Sequence, residues 1–413
     1  MSQAPINAKS HRLGLRENLG QFSLLVLVNA FVGAMVGLER VVIPVLAESQ
    51  FGLASYTAAL SFIVTFGAAK ALANLMSGRL AEQWGRRRLL ILGWLVGLPV
   101  PLILLWAPSW GWVVFANVLL GVNQGFAWTM TVVMKVDLVG PRQRGLALGI
   151  NESAGYAAVS LAAFGSGWWI AEHSPDGVFL SGFALAVIGL LLSWIFVRDT
   201  SGHLKTEVAG FQREVEAPPS FGSVLRQVSW SNPRMLAVSQ AGLVNNLNDG
   251  LAWGLLPLFF LAADVDVAHT ALLVSIYPLV WGLGQLGTGA LADKIGRRLP
   301  ITIGMLLQGS SLLLVAFAPG PGWYLPAMIG QGLGTALVYP AFLAVISDEA
   351  APSWRASALG VYRLWRDGGY VVGAVLAGLL ADTLGMGPSI GSIGAITLAS
   401  GIAAGWLLGK RPQ

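Results

Sequence analysis

Eight charged residues lie inside long apolar runs of the sequence, in five separate places. Four of them are basic and four are acidic: Glu39, Arg40, Lys70, Glu152, Asp249, Arg363, Arg366 and Asp367. If these side chains faced hydrocarbon, each would cost about 2.5 to 3.5 kcal/mol, on the order of 20 kcal/mol together. We therefore expect them to face protein or a water-filled cavity.

These charges suggest two kinds of chemistry. The acids Glu39, Glu152 and Asp249 are candidate proton carriers, and the arginines at positions 40, 363 and 366 could bind an anionic group. In the alternative reading, the charges pair among themselves and only hold helices together. Uncharged polar residues extend the predicted pathway, namely Asn123, Gln124, Asn245 and Gln331.

The elements that hold these residues are predicted to be membrane-spanning helices. The chain has 413 residues, of which 55% are hydrophobic and 11% charged, with a mean hydropathy of +0.68. This composition is too apolar for soluble domains, and a span needs about 20 apolar residues. We predict twelve spans, near residues 21–47, 55–79, 89–106, 112–136, 145–171, 178–197, 234–262, 269–292, 299–318, 324–346, 356–382 and 388–409.

Several kinds of site are excluded or not expected. The chain has no cysteine, so disulfides, thiol chemistry and zinc–thiolate sites are excluded. Its four histidines fall in tails, loops or helix ends, and we expect no metal site and no cofactor. No nucleotide-binding loop, H-E-x-x-H motif or nucleophile elbow is present, so we expect neither an enzyme nor an ATP-driven protein.

The distribution of basic residues predicts the orientation. All but four of the 25 Lys and Arg fall in segments on one side of the predicted membrane, and the loops on the other side contain none. Lys and Arg are retained on the cytoplasmic side. We therefore predict a multi-pass protein of a bacterial inner membrane with both termini in the cytoplasm, and the membrane also explains the positive charge without nucleic acid.

The two halves of the chain repeat each other. GRLAEQWGRR at Gly78 recurs as GALADKIGRR at Gly289, and the segment from Asp137 matches the segment from Asp348 at the same offset of 211 residues. Two loops that repeat at one offset indicate an internal duplication. The predicted organisation is a cytoplasmic tail (1–20), a six-helix half (21–197), a cytoplasmic central loop (198–233), a second six-helix half (234–409) and a cytoplasmic tail (410–413).

The repeated loop carries a recognisable motif, G-x-L-a-D-[RK]-x-G-R-[RK]. The second copy fits it fully, whereas the first has Glu82 in place of the aspartate and glutamine in place of the base. The motif residues are Gly78, Glu82, Gly85, Arg86, Arg87, Gly289, Asp293, Gly296, Arg297 and Arg298. With the duplication and the long central loop, the chain resembles the major facilitator superfamily, and within it bacterial permeases of unassigned substrate.

This resemblance implies a gate. In the superfamily the motif acid faces the positive start of a helix, which places Glu82 near the start of helix 11 and Asp293 near the start of helix 5. Helices 2 and 11 are neighbours in the superfamily. Lys70 and Asp367 lie about 14 and 16 Å from the cytoplasmic ends of these helices at 1.5 Å per residue, so we predict a salt bridge between them, with Arg363 as the competing partner.

The sequence thus predicts a secondary transporter that moves a small organic solute by alternating access between its two halves. We expect coupling to protons, with export favoured over uptake, and contact only with membrane lipid, the solute and the proton, as a monomer. One alternative is a symporter that takes up a small organic anion. An alternative of another class is a lipid scramblase or a non-transporting receptor on the same fold, and movement of labelled lipid without a gradient would identify the scramblase.

Overall fold

The computed structural model describes residues 12–140, 143–209, 219–351 and 354–409, and all its regular elements there are helices. The first half contains α1 (Leu19–Ser49), α2 (Tyr56–Ala59), α3 (Ser61–Trp84), α4 (Arg86–Gly97), α5 (Val100–Leu105), α6 (Trp110–Asn123), α7 (Thr129–Val139), α8 (Arg144–Ile170) and α9 (Asp176–Ile195). The linker contains α10 (Ser201–Ala209) and α11 (Phe221–Arg226). The second half contains α12 (Pro233–Ala262), α13 (Val267–Ile295), α14 (Arg298–Phe317), α15 (Tyr324–Glu349), α16 (Arg355–Leu384) and α17 (Met386–Leu408).

These helices form twelve spans in two sets of six, as predicted. Across the described residues, nine helical segments are long and apolar enough to cross a membrane. The other three spans are α3, α8 and α12, which have 24, 27 and 30 residues. At 1.5 Å per residue each exceeds a hydrocarbon core of about 30 Å. These three helices hold Lys70, Glu152 and Asp249, and their polar residues explain why composition alone does not select them.

Two local features shape the spans. Gly85 separates α3 from α4 with a φ of 87°, and Gly296 separates α13 from α14 with a φ of 84°. Side chains rarely adopt this conformation, so glycine suits both copies of the motif turn. Between α6 and α7 the fourth span has a π-helical turn at Gln124–Trp128. Such turns are frequent at functional sites because they re-aim side chains.

The two halves meet mainly where α1 packs on α12, where α2 and α3 pack on α16, and where α8 packs on α13. One end of the bundle carries both motif loops, and we call it the basic end. The other end carries Asp264 and Asp382, and we call it the acidic end. At the acidic end a carboxylate joins the halves: Asp382 of α16 accepts hydrogen bonds from the Ser55 hydroxyl (2.9 Å) and from the backbone N–H groups of Tyr56 (2.7 Å) and Thr57 (3.1 Å).

Glycines show that the halves touch at the acidic end and separate at the basic end. A Cβ added to Gly167 of α8 would lie 2.2 Å from the Ala271 Cβ of α13, so these helices are in close contact there. Further along the same two helices, a Cβ on Gly149 or Gly287 would meet no atom of a described residue within 4 Å. The space between the halves therefore opens at the basic end.

The structure describes only parts of the predicted tails and central loop. Residues 1–11 of the first tail, 210–218 of the central loop and the tail 410–413 lie outside the described residues. In the described part, α9 ends at Ile195 and α12 begins at Pro233.

Candidate functional site

A cavity lies between the two halves at the level of the predicted charges. Its volume is about 350 Å³, including the part that is open to solvent. It is lined by Lys70, Asn74, Gln124, Trp128, Thr129, Glu152, Tyr156, Tyr339, Arg363 and Arg366. These residues come from α3, the fourth span, α8, α15 and α16, so both halves contribute to one polar space.

Both oxygens of Asp367, beside this cavity, accept hydrogen bonds. The Arg366 guanidinium donates to its Oδ1 at 2.6 and 2.9 Å, and the Asn74 amide of α3 donates to its Oδ2 at 2.6 Å. The prediction of a Lys70–Asp367 salt bridge is therefore wrong. The contact between the halves uses Asn74, one helical turn from Lys70, and the charge partner is Arg366 rather than Arg363.

Lys70 and Arg363 have no carboxylate partner among the described residues. The Lys70 ammonium nitrogen lies 5.1 Å from the ring centre of Tyr370 and 5.6 Å from that of Phe66, which is cation–π geometry. The Nε of Arg363 is buried without a hydrogen-bond acceptor among the described residues. Two basic groups of the cavity thus form no ion pair with a described carboxylate.

Glu152 connects the halves through hydrogen bonds. Its Oε1 accepts from the Asn151 amide at 2.9 Å and from the Trp128 indole at 3.1 Å, both in the first half. Its Oε2 accepts from the Tyr339 hydroxyl of the second half at 3.4 Å, and that hydroxyl accepts from Arg366 at 2.5 Å. This carboxylate therefore accepts hydrogen bonds from both halves.

Aromatic rings form one wall of the cavity. The rings of Trp128 and Tyr156 have centres 5.3 Å apart. Behind them the Trp281 ring of α13 lies 3.6 Å from Tyr156 and 5.6 Å from Tyr339. Four rings from four spans therefore pack together where the halves meet.

A second, fully enclosed layer lies beyond the cavity toward the acidic end. The Arg40 guanidinium lies 4.2 Å from the ring centre of Trp253 and 4.8 Å from that of Phe66, and its three nitrogens have no hydrogen-bond partner among the described residues. Asp249 is fully buried and accepts a short hydrogen bond from the Tyr277 hydroxyl. Arg40 and Asp249 thus lie between the cavity and the closed acidic end.

Other predicted pathway residues lie outside the cavity. Glu39 lines a separate small pocket between α1, α5 and α9. Asn123 donates to the Gly93 carbonyl at 2.8 Å, and Asn245 donates to the Asn246 side chain at 3.2 Å. The amide of Gln331 is buried without a partner among the described residues. By contrast, Gln124 lines the cavity and donates to the Val32 carbonyl of α1 at 2.9 Å.

The motif arginines pair inside their own halves. Arg86 bonds Asp137 at the end of the fourth span at 2.6 Å, and Arg297 lies 3.5 Å from Asp348 at the end of the tenth. Both members of the second pair follow the first by 211 residues, so the two ion pairs are related by the repeat. Arg298, beside Arg297, donates to the Gly405 carbonyl at 2.8 Å.

Among the residues that the structure describes, the motif acids make no hydrogen bond or ion pair across the halves. Asp293 bonds Arg297 in its own loop, and no hydrogen bond or ion pair joins Glu82 to another described residue. Gly78 and Gly289 lie in the interiors of α3 and α13. Contacts of Glu82 and Asp293 across the halves would require a closed basic end, whereas this end is open in the structure. The gate therefore stays a prediction.

Arg87 anchors the first motif to the last turn of α9 and to the segment that follows it. Its side chain donates to the Trp194 carbonyl, and its backbone N–H donates to Asp199 at 3.0 Å. Although partial burial opposes ionisation, the hydrogen bonds from Ser201 and from the Arg87 backbone hold the pKa of Asp199 below its ordinary value.

Sequence reasoning missed part of this site. The aromatic wall was not predicted, because tryptophan and tyrosine in membrane proteins are usually anchors at the lipid surface. Lys135 was also missed: it is fully buried in α7 and donates to the Leu25 carbonyl of α1 at 3.1 Å. No group of three or more His, Asp or Glu residues in the described part of the chain could hold a metal ion.

Comparisons with known proteins match nearly the whole chain to one protein family. A model described as Major Facilitator Superfamily matches residues 24–243 and 238–413. YhhS of Escherichia coli K12, an uncharacterized MFS-type transporter, is 27% identical over 97% of this chain and 95% of its own length. The puromycin resistance protein pur8 of Streptomyces alboniger is 38% identical over 27% of this chain and 22% of its own. A crystal structure of a POT family transporter in complex with a thioalcohol conjugated peptide has a TM-score of 0.73 at 15% identity, covering 92% of this chain and 94% of that one.

Proposed function

The chain belongs to the Major Facilitator Superfamily, and on that premise we propose that this secondary transporter is proton-coupled and exports a small organic solute. Glu152 carries the proton. The observation that carries this proposal is the set of hydrogen bonds of Glu152, because they come from both halves at the wall of the cavity.

The basic end of the bundle faces the cytoplasm in this proposal. It carries the motif arginines and both described chain ends, and Lys and Arg are retained on the cytoplasmic side. The opening between Gly149 and Gly287 then makes this the inward-facing state. The site is accessible from the cytoplasm while Asp382 holds the other end closed.

Protonation of Glu152 changes the strength of a contact between the halves. A carboxylate accepts a stronger, charge-assisted hydrogen bond than a neutral acid does. When Glu152 takes up a proton, the bond from Tyr339 weakens, and Tyr339 is in turn bonded to Arg366. This chain of bonds links the proton to the two halves and to the basic side of the cavity.

Glu39 and Asp249 remain the other proton-carrier candidates, but their surroundings favour them less. Glu39 lies in a separate pocket within the first half. Asp249 accepts its hydrogen bond from Tyr277 of its own half and does not line the cavity. Export is supported by the partial similarity to a protein named for puromycin resistance.

Transport in everted bacterial vesicles tests coupling and direction together. We choose four probes, three of which carry a phenyl ring: benzenesulfonate, benzenesulfonamide, phenyltrimethylammonium and methanesulfonate. Respiration should drive accumulation of at least one probe, and a protonophore should abolish it. Glu152→Gln should lose the driven accumulation but retain exchange of the same probe, whereas Glu172→Gln, an exposed acid beyond α8, should match the wild type.

A second measurement needs no solute. Spin labels at Gly149→Cys and Gly287→Cys report the opening at the basic end, and the natural chain has no cysteine that would interfere. The distance should shift with pH in the wild type and not in Glu152→Gln. A protonophore-insensitive transport, or a pH-dependent distance that persists in Glu152→Gln, would contradict the assignment. Movement of labelled lipid without any gradient would favour a scramblase instead.

A further inference from the structure

The cavity has an excess of basic groups over available acids. Lys70, Arg363 and Arg366 line it, and Glu152 is the one carboxylate among its lining residues. Asp367 adjoins the cavity, but both of its oxygens are already bonded, by Arg366 and by Asn74. One basic group of this set thus remains without an acid to balance it.

Two of the three basic groups form no ion pair with a described carboxylate. The Lys70 ammonium lies near two aromatic rings and forms no ion pair within 4 Å with a described carboxylate, and Arg363 has a buried Nε without an acceptor among the described residues. A buried charge without a partner is strongly destabilising. An anion that entered the cavity would supply the missing acceptor, since a guanidinium and an ammonium bind carboxylate, sulfonate and phosphate oxygens well.

The wall beside these groups is aromatic. Trp128, Tyr156 and Tyr339 line the cavity, and Trp281 supports them from behind. Aromatic pairs stabilise a complex beyond the area that they bury, by offset stacking or edge-to-face contact. An aromatic ring on the solute would therefore bind more tightly at this wall than an alkyl group of equal size.

We infer that the transported solute is a small aromatic monoanion, with its acidic group on the side of Lys70 and Arg363 and its ring against Trp128, Tyr156 and Tyr339. This inference rests on the proposed function only in assuming that the cavity is the transport site. It restricts the proposed solute to one chemical class, which is defined by a single negative charge and an aromatic ring.

Binding to the purified full-length protein tests the inference without any gradient. Titration calorimetry with the four probes should give the tightest dissociation constant for benzenesulfonate. The neutral sulfonamide tests the charge, and methanesulfonate tests the ring. Phenyltrimethylammonium carries the opposite charge and should bind most weakly.

Substitutions assign the two subsites. Lys70→Gln and Arg363→Gln should each weaken benzenesulfonate binding about tenfold, or about 1.4 kcal/mol, with little effect on the sulfonamide. Lys70→Arg keeps the charge, so it should retain most of the benzenesulfonate affinity and provides a second test should Lys70→Gln not fold. Arg79→Gln, an exposed arginine on the same helix as Lys70, is the matched control and should change nothing. Tyr156→Leu should remove most of the preference for benzenesulfonate over methanesulfonate.

The outcomes separate this inference from the proposed function. Equal or tighter binding of phenyltrimethylammonium, or unchanged benzenesulfonate binding in both Lys70→Gln and Arg363→Gln, overturns the anion class. No binding of any aromatic probe at millimolar concentration overturns it as well. If benzenesulfonate binds as described but its transport ignores the protonophore, the substrate class stands and the proton coupling fails.

Discussion

Replacing Gly378 by alanine should push the protein out of the state in which the acidic end is closed. Gly378 lies in α16 at the acidic end, where a Cβ would be 2.7 Å from the Thr57 Cα and 3.0 Å from its backbone nitrogen. Ordinary contact begins at 3.4 Å, so the halves must separate by about 0.7 Å or more at this point. The obstacle is backbone, which cannot rotate away as a flexible side chain could.

The size of the effect follows from the cost of overpacking. Extra atoms in a packed interface typically cost about 1 to 3 kcal/mol. Because the clash exists only while the acidic end is closed, this energy shifts the balance toward the state with an open acidic end by about 5- to 150-fold. The separation also stretches the hydrogen bonds that Asp382 accepts from Ser55, Tyr56 and Thr57.

Spin-label distances at both ends measure this shift. Labels at Glu48→Cys and Thr383→Cys, exposed in the two halves at the acidic end, should move apart in Gly378→Ala, and labels at Gly149→Cys and Gly287→Cys should move closer. Gly360→Ala is the matched control: it lies on the same helix, and its Cβ would meet no described atom within 4 Å. The reasoning is refuted if Gly378→Ala gives the control's distances, or if only the acidic end moves.

Three further predictions concern the charges. Asp367→Asn should lower the free energy of unfolding by about 3 to 5 kcal/mol because it leaves a buried arginine unpaired, whereas Lys70→Met should leave it unchanged or higher; thermal unfolding of the purified variants compares them. Asp293→Asn and Glu82→Gln should each insert normally but slow solute exchange about two- to fivefold, since a charge at a helix start contributes about 0.3 to 1 kcal/mol; full exchange rates in both would remove the gate assignment. Asp199 has a lowered pKa, so its stabilising contribution is complete above about pH 4 and is lost as the pH falls through its folded pKa; Asp199→Asn should flatten the melting temperature below about pH 4, and an unchanged slope would contradict this.

The repeat was the most informative feature of the sequence. An offset of 211 residues aligned Asp137 with Asp348, and the structure pairs each with the equivalent arginine of its own motif. Duplication preserves both members of a contact at the same offset. The sequence alone therefore shows that the residues of the two ion pairs are equivalent positions of the repeat. It does not reveal whether the partners touch within a half or across halves, which depends on the state of the transporter.

The charge contacts inside the membrane were harder to predict. The depths of Lys70 and Asp367 along their helices matched, but depth does not fix the direction in which a side chain points around the helix axis. Asn74 lies one turn from Lys70 on the same face of α3, and its short amide reaches Asp367. The adjacent Arg366 neutralises that carboxylate. A second cation there would therefore be stabilised less than one beside an unpaired anion.

The two readings of the buried charges, pairing or function, apply to different residues. Arg366 and Asp367 form a bonded pair that also joins α16 to α3 through Asn74, which is what a structural pair requires. Lys70 and Arg363 have no such partner, and α3 and α16 would pack with neutral residues at those positions at lower cost. A charge kept in a membrane interior without a partner in one state needs a partner that comes and goes, either the opposite half in another state or a solute. Because Lys70 and Arg363 line a cavity that opens at one end, the solute meets that requirement in the state described here.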